Sequence, residues 1–279
     1  MPAMLSLVNQ KIRKDQRILF RVLPFIFVIM TLKLGLHYMD LELLSINAIF
    51  SGLIGANVFL MGFLLSGVLA DYRESERIPG EVAATLTTIA DEFQITHQRN
   101  PTRQTANALN HIRDLANNIH TWLHKKERSS VVMEKITRLN HDFFALEPIT
   151  QVNAITRLKQ EQSALRKLII RIHTIRETNF ISSGYYIAQS TTILLILGLT
   201  LARIEPFYES LFFVFIVSYL LLFLLFLIRD LDNPFGYYEV GSSEDVSLKP
   251  LDDALMDLVK RASDGQALLD GDIFSMQSS

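Results

Sequence analysis

The chain has 279 residues, of which 49% are hydrophobic and 20% are charged, with no cysteine and a formal net charge of −2. This composition excludes a disulfide-stapled secreted domain, a zinc-thiolate site and a strongly basic protein that binds nucleic acid. A mean hydropathy of +0.24 is high for a soluble protein of this length. The apolar residues are therefore expected to be concentrated in particular segments.

Three uncharged runs are long enough to cross a membrane as helices, because a hydrocarbon core of about 30 Å needs roughly 20 helical residues. They cover residues 43–70, 178–202 and 210–228. A shorter run precedes them and predicts a first span over 18–36, provided that Arg21 and Lys33 extend their charged ends toward opposite interfaces. A cleaved signal peptide is the alternative for this segment, but Pro24 and Lys33 disfavour it.

Basic residues fix the predicted orientation of the loops. In a four-span arrangement, 25 of the 27 Lys and Arg residues lie on one side, and the positive-inside rule makes that side cytoplasmic. Both termini are then cytoplasmic. The protein is predicted to lie in the inner or plasma membrane of the cell. The predicted parts are a cytoplasmic amphipathic N-terminal helix (1–17), transmembrane helices 1 and 2 (18–70), a cytoplasmic helical domain (71–177), transmembrane helices 3 and 4 (178–228) and an acidic cytoplasmic tail (229–279).

The cytoplasmic domain has apolar residues at helical spacing, interrupted by turn residues. Predicted helix boundaries fall at Pro79, Asn100-Pro101, Ser129-Ser130 and Pro148. The last helix is predicted to continue into the third span as a stem. Its basic strip is interpreted either as a solvated face or as an electropositive vestibule near lipid head groups. In the tail, a short helix is predicted over 251–261, followed by a mobile segment.

Motifs for catalysis or cofactor binding are not found. His120 and His124 are spaced as metal ligands on one helix face, but two ligands underdetermine a site. The sequence therefore predicts neither an enzyme nor a metal site, and no cofactor is expected.

The second span carries one continuous face. With 100° per residue, the positions within about 80° of Ile54 include Asn47, Ser51, Val58 and Gly62. Polar groups that face lipid are penalised, so Asn47 and Ser51 should face protein or water. Two interpretations stay open: packing of the four helices around buried amides, or a pore lined by the same helix from several subunits.

Several strings resemble bestrophin-like proteins. They are Arg21-Val22-Leu23-Pro24, Leu44-Ser45-Ile46-Asn47-Ala48, the charged string at 71–81, Asp232-Asn233-Pro234-Phe235-Gly236 and the stretch at 246–253. The likeness covers about residues 13–81 and 178–257. It implies a homopentameric ion channel, often anion-selective, in which five second spans surround the axis with a hydrophobic neck.

Specific roles follow from this resemblance. Counting back without gaps from Ile78-Pro79 places Ile54, Val58 and Gly62 at the three neck positions. Asn47 and Ser51 are assigned to the outer pore mouth. The four residues of the structural clasp that joins the tail to the stem are Asp232, Asn233, Pro234 and Phe235.

The sequence also departs from the family's pattern. Gly62 replaces a bulky neck residue, which predicts a wider inner neck or a register shifted through Met61. Residues 237–240 stand where calcium-gated members carry an acidic run, so calcium regulation is not expected. The exit turn at 73–77 is charged where many members have aromatic residues, and such charges bias which ions accumulate.

The predicted protein is an all-α integral membrane protein with four transmembrane helices and a large cytoplasmic helical insertion between the second and third. Its predicted partners are further copies of itself, membrane lipids and small inorganic ions such as chloride. The alternative is a non-conducting membrane scaffold whose cytoplasmic helices and acidic tail bind a soluble partner. A secondary transporter is disfavoured, because inverted repeats and broken helices are not visible.

Overall fold

The computed structural model describes residues 17–177, 182–237 and 245–277, and most of these residues are helical. The predicted all-α fold with four helices long and apolar enough to cross a membrane is confirmed. The N-terminal helix predicted over 1–17 lies outside the described residues, apart from its last position. The junction at 178–181, where the stem is predicted to enter the third span, also lies outside them.

In chain order the elements are α1 (Arg17–Tyr38), β1 (Leu44–Ser45), α2 (Ala48–Arg99), α3 (Arg103–Leu123), α4 (Ser129–Leu146), a 3-10 turn (Glu147–Ile149), α5 (Val152–Glu177), α6 (Ser182–Leu201), β2 (Ala202–Arg203), α7 (Phe207–Leu231) and α8 (Lys249–Gln277). The chain divides into two compact units. The bundle unit comprises residues 1–72 and 178–245, and the helical unit comprises residues 73–177 and 246–279.

The bundle unit has an apolar core built from three of its helices. The core residues are Met61, Leu64 and Val68 on α2, Ala188, Leu195 and Ile196 on α6, and Leu221, Leu225, Ile228 and Leu231 on α7. A Cβ built on Gly198 would lie 2.9 Å from Cε2 of Phe50. The close approach of α2 to α6 therefore depends on a glycine at this position.

Two very short strands join the loops at one end of the bundle. β1 and β2 pair in parallel, with Leu44 opposite Ala202 and Ser45 opposite Arg203. The sequence did not predict this pairing, since a two-residue strand carries no periodic signal. The pairing of β1 with β2 fixes the loop that leads directly into α2.

The boundary predicted at Pro79 is wrong. α2 continues through this residue as one helix of 52 residues. A proline inside a helix removes one backbone hydrogen bond and costs about 3 kcal/mol. Ile78 and Val82 beside it are buried, and burial of such a side chain contributes about 1.5–3 kcal/mol, which offsets the loss.

The other boundaries predicted inside the helical unit are confirmed. α3 begins after Pro101 with a reciprocal cap, in which Thr102 and Thr105 each accept a hydrogen bond from the other's backbone N–H. α4 begins at Ser129. The 3-10 turn contains Pro148 and precedes α5.

The C-terminal helix is longer than predicted. α8 covers 29 residues, whereas the sequence predicts a helix over 251–261 and a mobile segment after it. Packing against the helical unit extends the helix: Arg261 forms ion pairs with Asp91 on α2 and Asp257 on α8, and Nε2 of His97 lies 2.9 Å from the carbonyl oxygen of Gly265. The part of the tail from residue 246 onward therefore belongs to the helical unit, a tertiary outcome that its composition does not reveal.

Candidate functional site

One side of α2 in the bundle unit is left uncovered by the helices in the part of the chain that the structure describes. We call this the open face of α2 and define it by Ser51, Gly55, Val58, Phe59, Gly62, Phe63 and Ser66, all of which are exposed. A Cβ built on Gly55 or Gly62 meets no atom within 4 Å. At 100° per residue, Phe59 lies about 180° around the helix from the core residue Val68. Phe59 is 78% exposed and marks the centre of the open face.

Three of the five predicted pore-lining residues lie on or beside this open face. Ser51, Val58 and Gly62 are exposed, and Val58 is 42% exposed. Ile54 is partly buried and packs against the core of the bundle unit. Met61 is fully buried in that core, whereas Gly62 is exposed; the register of the neck stays a prediction.

Sequence reasoning missed the aromatic part of the open face. Phe59 and Phe63 are more exposed than Val58, and they follow Gly55 at intervals of four residues. The predicted stripe was centred on Ile54 because apolar residues continue along that side of the helix. Only the positions of the neighbouring helices show which apolar side faces the core.

Asn47 stands at the N-terminus of α2 and serves as its cap. Its Oδ1 accepts a hydrogen bond of 2.9 Å from the backbone N–H of Phe50, which satisfies one of the unpaired donors of the first helical turn. The side chain of Asn47 is exposed. This residue therefore stabilises the start of α2 at the same end of the helix as Ser51.

A buried ion pair lies in the loops before α2. Lys33 on α1 is fully buried, and its Nζ lies 2.6 Å from Oε1 of Glu42 and donates to the carbonyl oxygen of Ala202 at 2.5 Å. Lys33 thus extends its charged end toward the loops that follow α1, where the ammonium group is held inside the protein. The sequence could not pair Lys33 with Glu42, since the loop path that joins them depends on β1 and β2.

His37 completes this cluster. Its Nδ1 lies 3.2 Å from Oε2 of Glu42, and its ring stacks on Phe207 with centroids 3.7 Å apart. Burial raises the pKa of Glu42, but hydrogen bonds from Lys33 and His37 outweigh burial and hold this pKa below its ordinary value. Glu42 is therefore a carboxylate at neutral pH, and the loops before α2 are fixed by charge pairing.

The predicted clasp residues form a turn after α7. The backbone N–H of Asp232 donates to the carbonyl oxygen of Ile228, and Gly236 N–H donates to the carbonyl oxygen of Asn233 at 3.1 Å. Phe235 is fully buried. Apart from Tyr237, the residues on which the calcium expectation rests lie outside the described residues.

Two basic residues of the α5 strip pair with acidic residues on α2. Arg171 binds Glu74 through two nitrogens at 2.7 and 2.5 Å, and Arg157 lies 2.9 Å from Glu92. These two pairs neutralise part of the strip, and both interpretations of its remaining basic residues stay predictions. Among the residues that the structure describes, no group of three or more His, Asp or Glu residues could hold a metal ion.

Comparison with known proteins identifies the fold. Neither a protein-family model nor a curated protein matches the sequence. The structure is similar to that of a bacterial bestrophin homolog from Klebsiella pneumoniae, with a TM-score of 0.71, 17% sequence identity, and coverage of 88% of this chain and 98% of that chain.

Two variants of the same Klebsiella protein match equally well. One gives a TM-score of 0.70 at 17% identity, covering 88% of this chain and 99% of that chain. The other gives 0.71 at 16% identity, covering 88% and 98%. The predicted likeness to bestrophins is therefore confirmed for the fold, including the helical insertion between the second and third spans.

Proposed function

We propose that a chain with this bestrophin fold assembles into a homopentameric channel that conducts small ions passively, with anions such as chloride preferred. The open face of α2 is the observation that carries the proposal. Residues exposed on α1 and α7 include large apolar side chains that suit lipid, such as Phe27 and Phe212. The open face instead combines glycine and serine with two phenylalanines, which suits close contact with further copies around an aqueous path.

In this proposal the middle of α2 forms a hydrophobic neck. Val58 and Gly62 belong to the neck as predicted, Ile54 supports it from the core side, and the exposure of Phe59 and Phe63 adds them to it. An apolar constriction controls conduction through its hydration, because an ion that enters a narrow apolar segment loses part of its water shell. Conduction needs no chemical step, cofactor or calcium ion.

The ends of the path have separate roles in the proposal. Ser51 and Asn47 form the outer mouth, where exposed polar groups replace part of an ion's hydration. The turn from Asp232 to Phe235 acts as the structural clasp after the last span. Both chain termini are cytoplasmic, and the remaining exposed apolar surface of the bundle unit contacts membrane lipids.

Planar-bilayer recording of the purified oligomer tests conduction. We expect single-channel currents, and a reversal potential under a salt gradient that reports anion preference. Phe59→Ala, Val58→Ala and Ile54→Ala are expected to alter conductance or selectivity. Phe27→Ala is the matched control, because Phe27 is 74% exposed in the chain but lies on α1.

Three outcomes would contradict the proposal. Silent bilayers despite verified reconstitution would favour the non-conducting scaffold. A native mass equal to that of the monomer would exclude a shared axis. Equal effects of Phe59→Ala and Phe27→Ala would remove the special role of the open face.

A further inference from the structure

A small polar cluster lies inside the bundle unit, on the side of α2 away from the open face. Thr191 Oγ1 donates to Asn57 Oδ1 at 2.6 Å, and Asn57 Nδ2 donates to Thr192 Oγ1 at 3.0 Å. Asn57 and Thr192 are both buried. Both ends of the amide are therefore satisfied by hydroxyl groups of α6.

The cluster lies near the middle of the uncharged run at 43–70, which contains the start of α2, and near the middle of α6. Asn57 follows Ala48 by nine residues, or about 14 Å along the axis of α2, and Thr191 is the tenth of the 20 residues of α6. Water is not available at this depth in a bilayer to replace a lost partner. The amide and the hydroxyl groups therefore favour one orientation of α2 against α6.

Directional bonds complement the apolar packing around them. Met61 and Leu64 fill the core by contacts that depend little on angle, and such contacts tolerate small rotations of a helix better than a hydrogen bond does. Asn57 precedes Val58 and Phe59 directly in the sequence. A rotation of α2 that broke the amide contact would turn both of these side chains together.

The cluster can also open at low cost on the α6 side. Thr191 Oγ1 lies 2.7 Å from the carbonyl oxygen of Ile187, so its single proton can bind there instead. Thr191 then keeps a partner when the bond to Asn57 is lost. The free-energy cost of breaking this bond comes from the amide oxygen of Asn57, which loses its donor.

We propose that Asn57, Thr191 and Thr192 form a positioning lock that sets the rotation of α2 about its own axis, and thereby which side chains of the open face meet the ion path. This inference rests on the proposed function, since the lock acts on the neck. Asn57 is a positioning residue and does not itself contact the ion.

Cysteine labelling tests the lock without requiring any current. The chain contains no cysteine, so Val58→Cys and Phe59→Cys give single reporters of water accessibility in the reconstituted oligomer. With a small charged thiol reagent, Thr192→Val is expected to change the ratio of the two labelling rates by about threefold, the shift typical of one interhelical hydrogen bond in a membrane. Asn57→Leu should change the ratio in the same direction.

Thr200→Val is the matched control. Thr200 is a buried threonine on the same helix, but its hydroxyl donates to the carbonyl oxygen of Leu197 in its own helix. This substitution should leave the ratio of labelling rates unchanged. The native mass of each variant should equal that of the unmodified oligomer, and Thr192→Val decides the test if Asn57→Leu does not assemble.

The two proposals fail in different ways. If both reporters react in the unmodified oligomer but their ratio is the same in Thr192→Val and Thr200→Val, the lock is refuted and the pore proposal survives. If neither reporter reacts in any state of the oligomer, the open face does not border water. The proposed function, and the lock with it, would then be lost.

Discussion

The two units of this chain place polar and apolar residues in opposite ways. In the bundle unit, large apolar side chains such as Phe27 are exposed, while Lys33 and Asn57 are buried. In the helical unit, Phe143 is buried, and Arg77 forms its ion pair with Glu81 at the surface. Each arrangement matches one solvent, since lipid favours exposed apolar groups and water favours exposed charges.

This inversion predicts where single substitutions matter. A buried polar group that loses its partner costs free energy in either unit, because no solvent replaces the partner. An exposed ion pair contributes little, because water already solvates both charges. Polar residues should therefore be more sensitive to substitution inside the bundle unit than at the surface of the helical unit.

The largest effect is expected from the apolar core of the helical unit. Phe143 is buried and its ring centroid lies 6.1 Å from that of Phe93. Phe143→Ala should lower the free energy of unfolding by about 4 kcal/mol, through lost burial and the cavity left behind. Phe144, the next residue, is 76% exposed. Phe144→Ala should therefore change the free energy of unfolding by less than about 0.5 kcal/mol. Thermal unfolding of the full chain in detergent measures both variants, and similar midpoints would contradict the assigned core.

The buried ion pair in the bundle unit gives the next effect. Lys33→Met leaves the carboxylate of Glu42 buried with His37 as its remaining partner, and should cost about 3 kcal/mol. Arg203→Gln is the control, because Arg203 pairs with Glu205 and Asp40 at the surface and its loss should leave the thermal midpoint almost unchanged. The measurement is the thermal midpoint of the purified oligomer.

A second variant separates charge burial from simple loss of packing. Adding Glu42→Leu to Lys33→Met removes the unpaired carboxylate and should restore much of the lost stability. If the double variant is as unstable as Lys33→Met alone, the stabilising role assigned to charge pairing is wrong.

The sequence predicts the spans well because their signal is one-dimensional. An uncharged run such as 43–70 has no other common explanation in a chain of this composition. The rotation of α2 was harder to predict, because Ile54, Val58 and Phe59 are all apolar and only the neighbouring helices decide which of them is buried. The contact between Lys33 and Glu42 was missed for the same reason, since it depends on the pairing of β1 with β2.

A buried carboxyl group in the helical unit gives a smaller effect that depends on pH. Burial raises the pKa of Asp142 above its ordinary value, and the hydrogen bond with His111, with Nδ1 2.8 Å from Oδ1, opposes this only in part. Because the folded pKa is the higher one, stability from this group is complete below the unfolded pKa and is lost as pH rises through the folded pKa.

Asp142→Asn removes the carboxyl group and with it this loss of stability at rising pH. The variant should gain stability relative to the unmodified chain as pH rises from about 4 to 7, by about 1 kcal/mol or less. Asp114→Asn is the control, because Asp114 is exposed and pairs with Arg113. Thermal midpoints across this pH range measure the difference. A difference that shrinks with rising pH would reverse the sign assigned to Asp142.

The smallest expected effects are the stability contributions of two ion pairs at the surface of the helical unit, which we compare. The hydrogen bonds from Arg171 hold the pKa of Glu74 below its ordinary value, so the stability from this pair is present above the unfolded pKa and is lost as pH falls through the folded one. Arg171→Gln should cost about 0.5 kcal/mol at pH 7, because the contact is bidentate but half exposed. Arg77→Gln breaks a single 3.5 Å contact to Glu81 and should cost about 0.2 kcal/mol. Both costs should fall in 1 M salt, where charges are screened within about 3 Å, and a cost for Arg171→Gln that persists in salt and at low pH would assign its role to packing instead of charge.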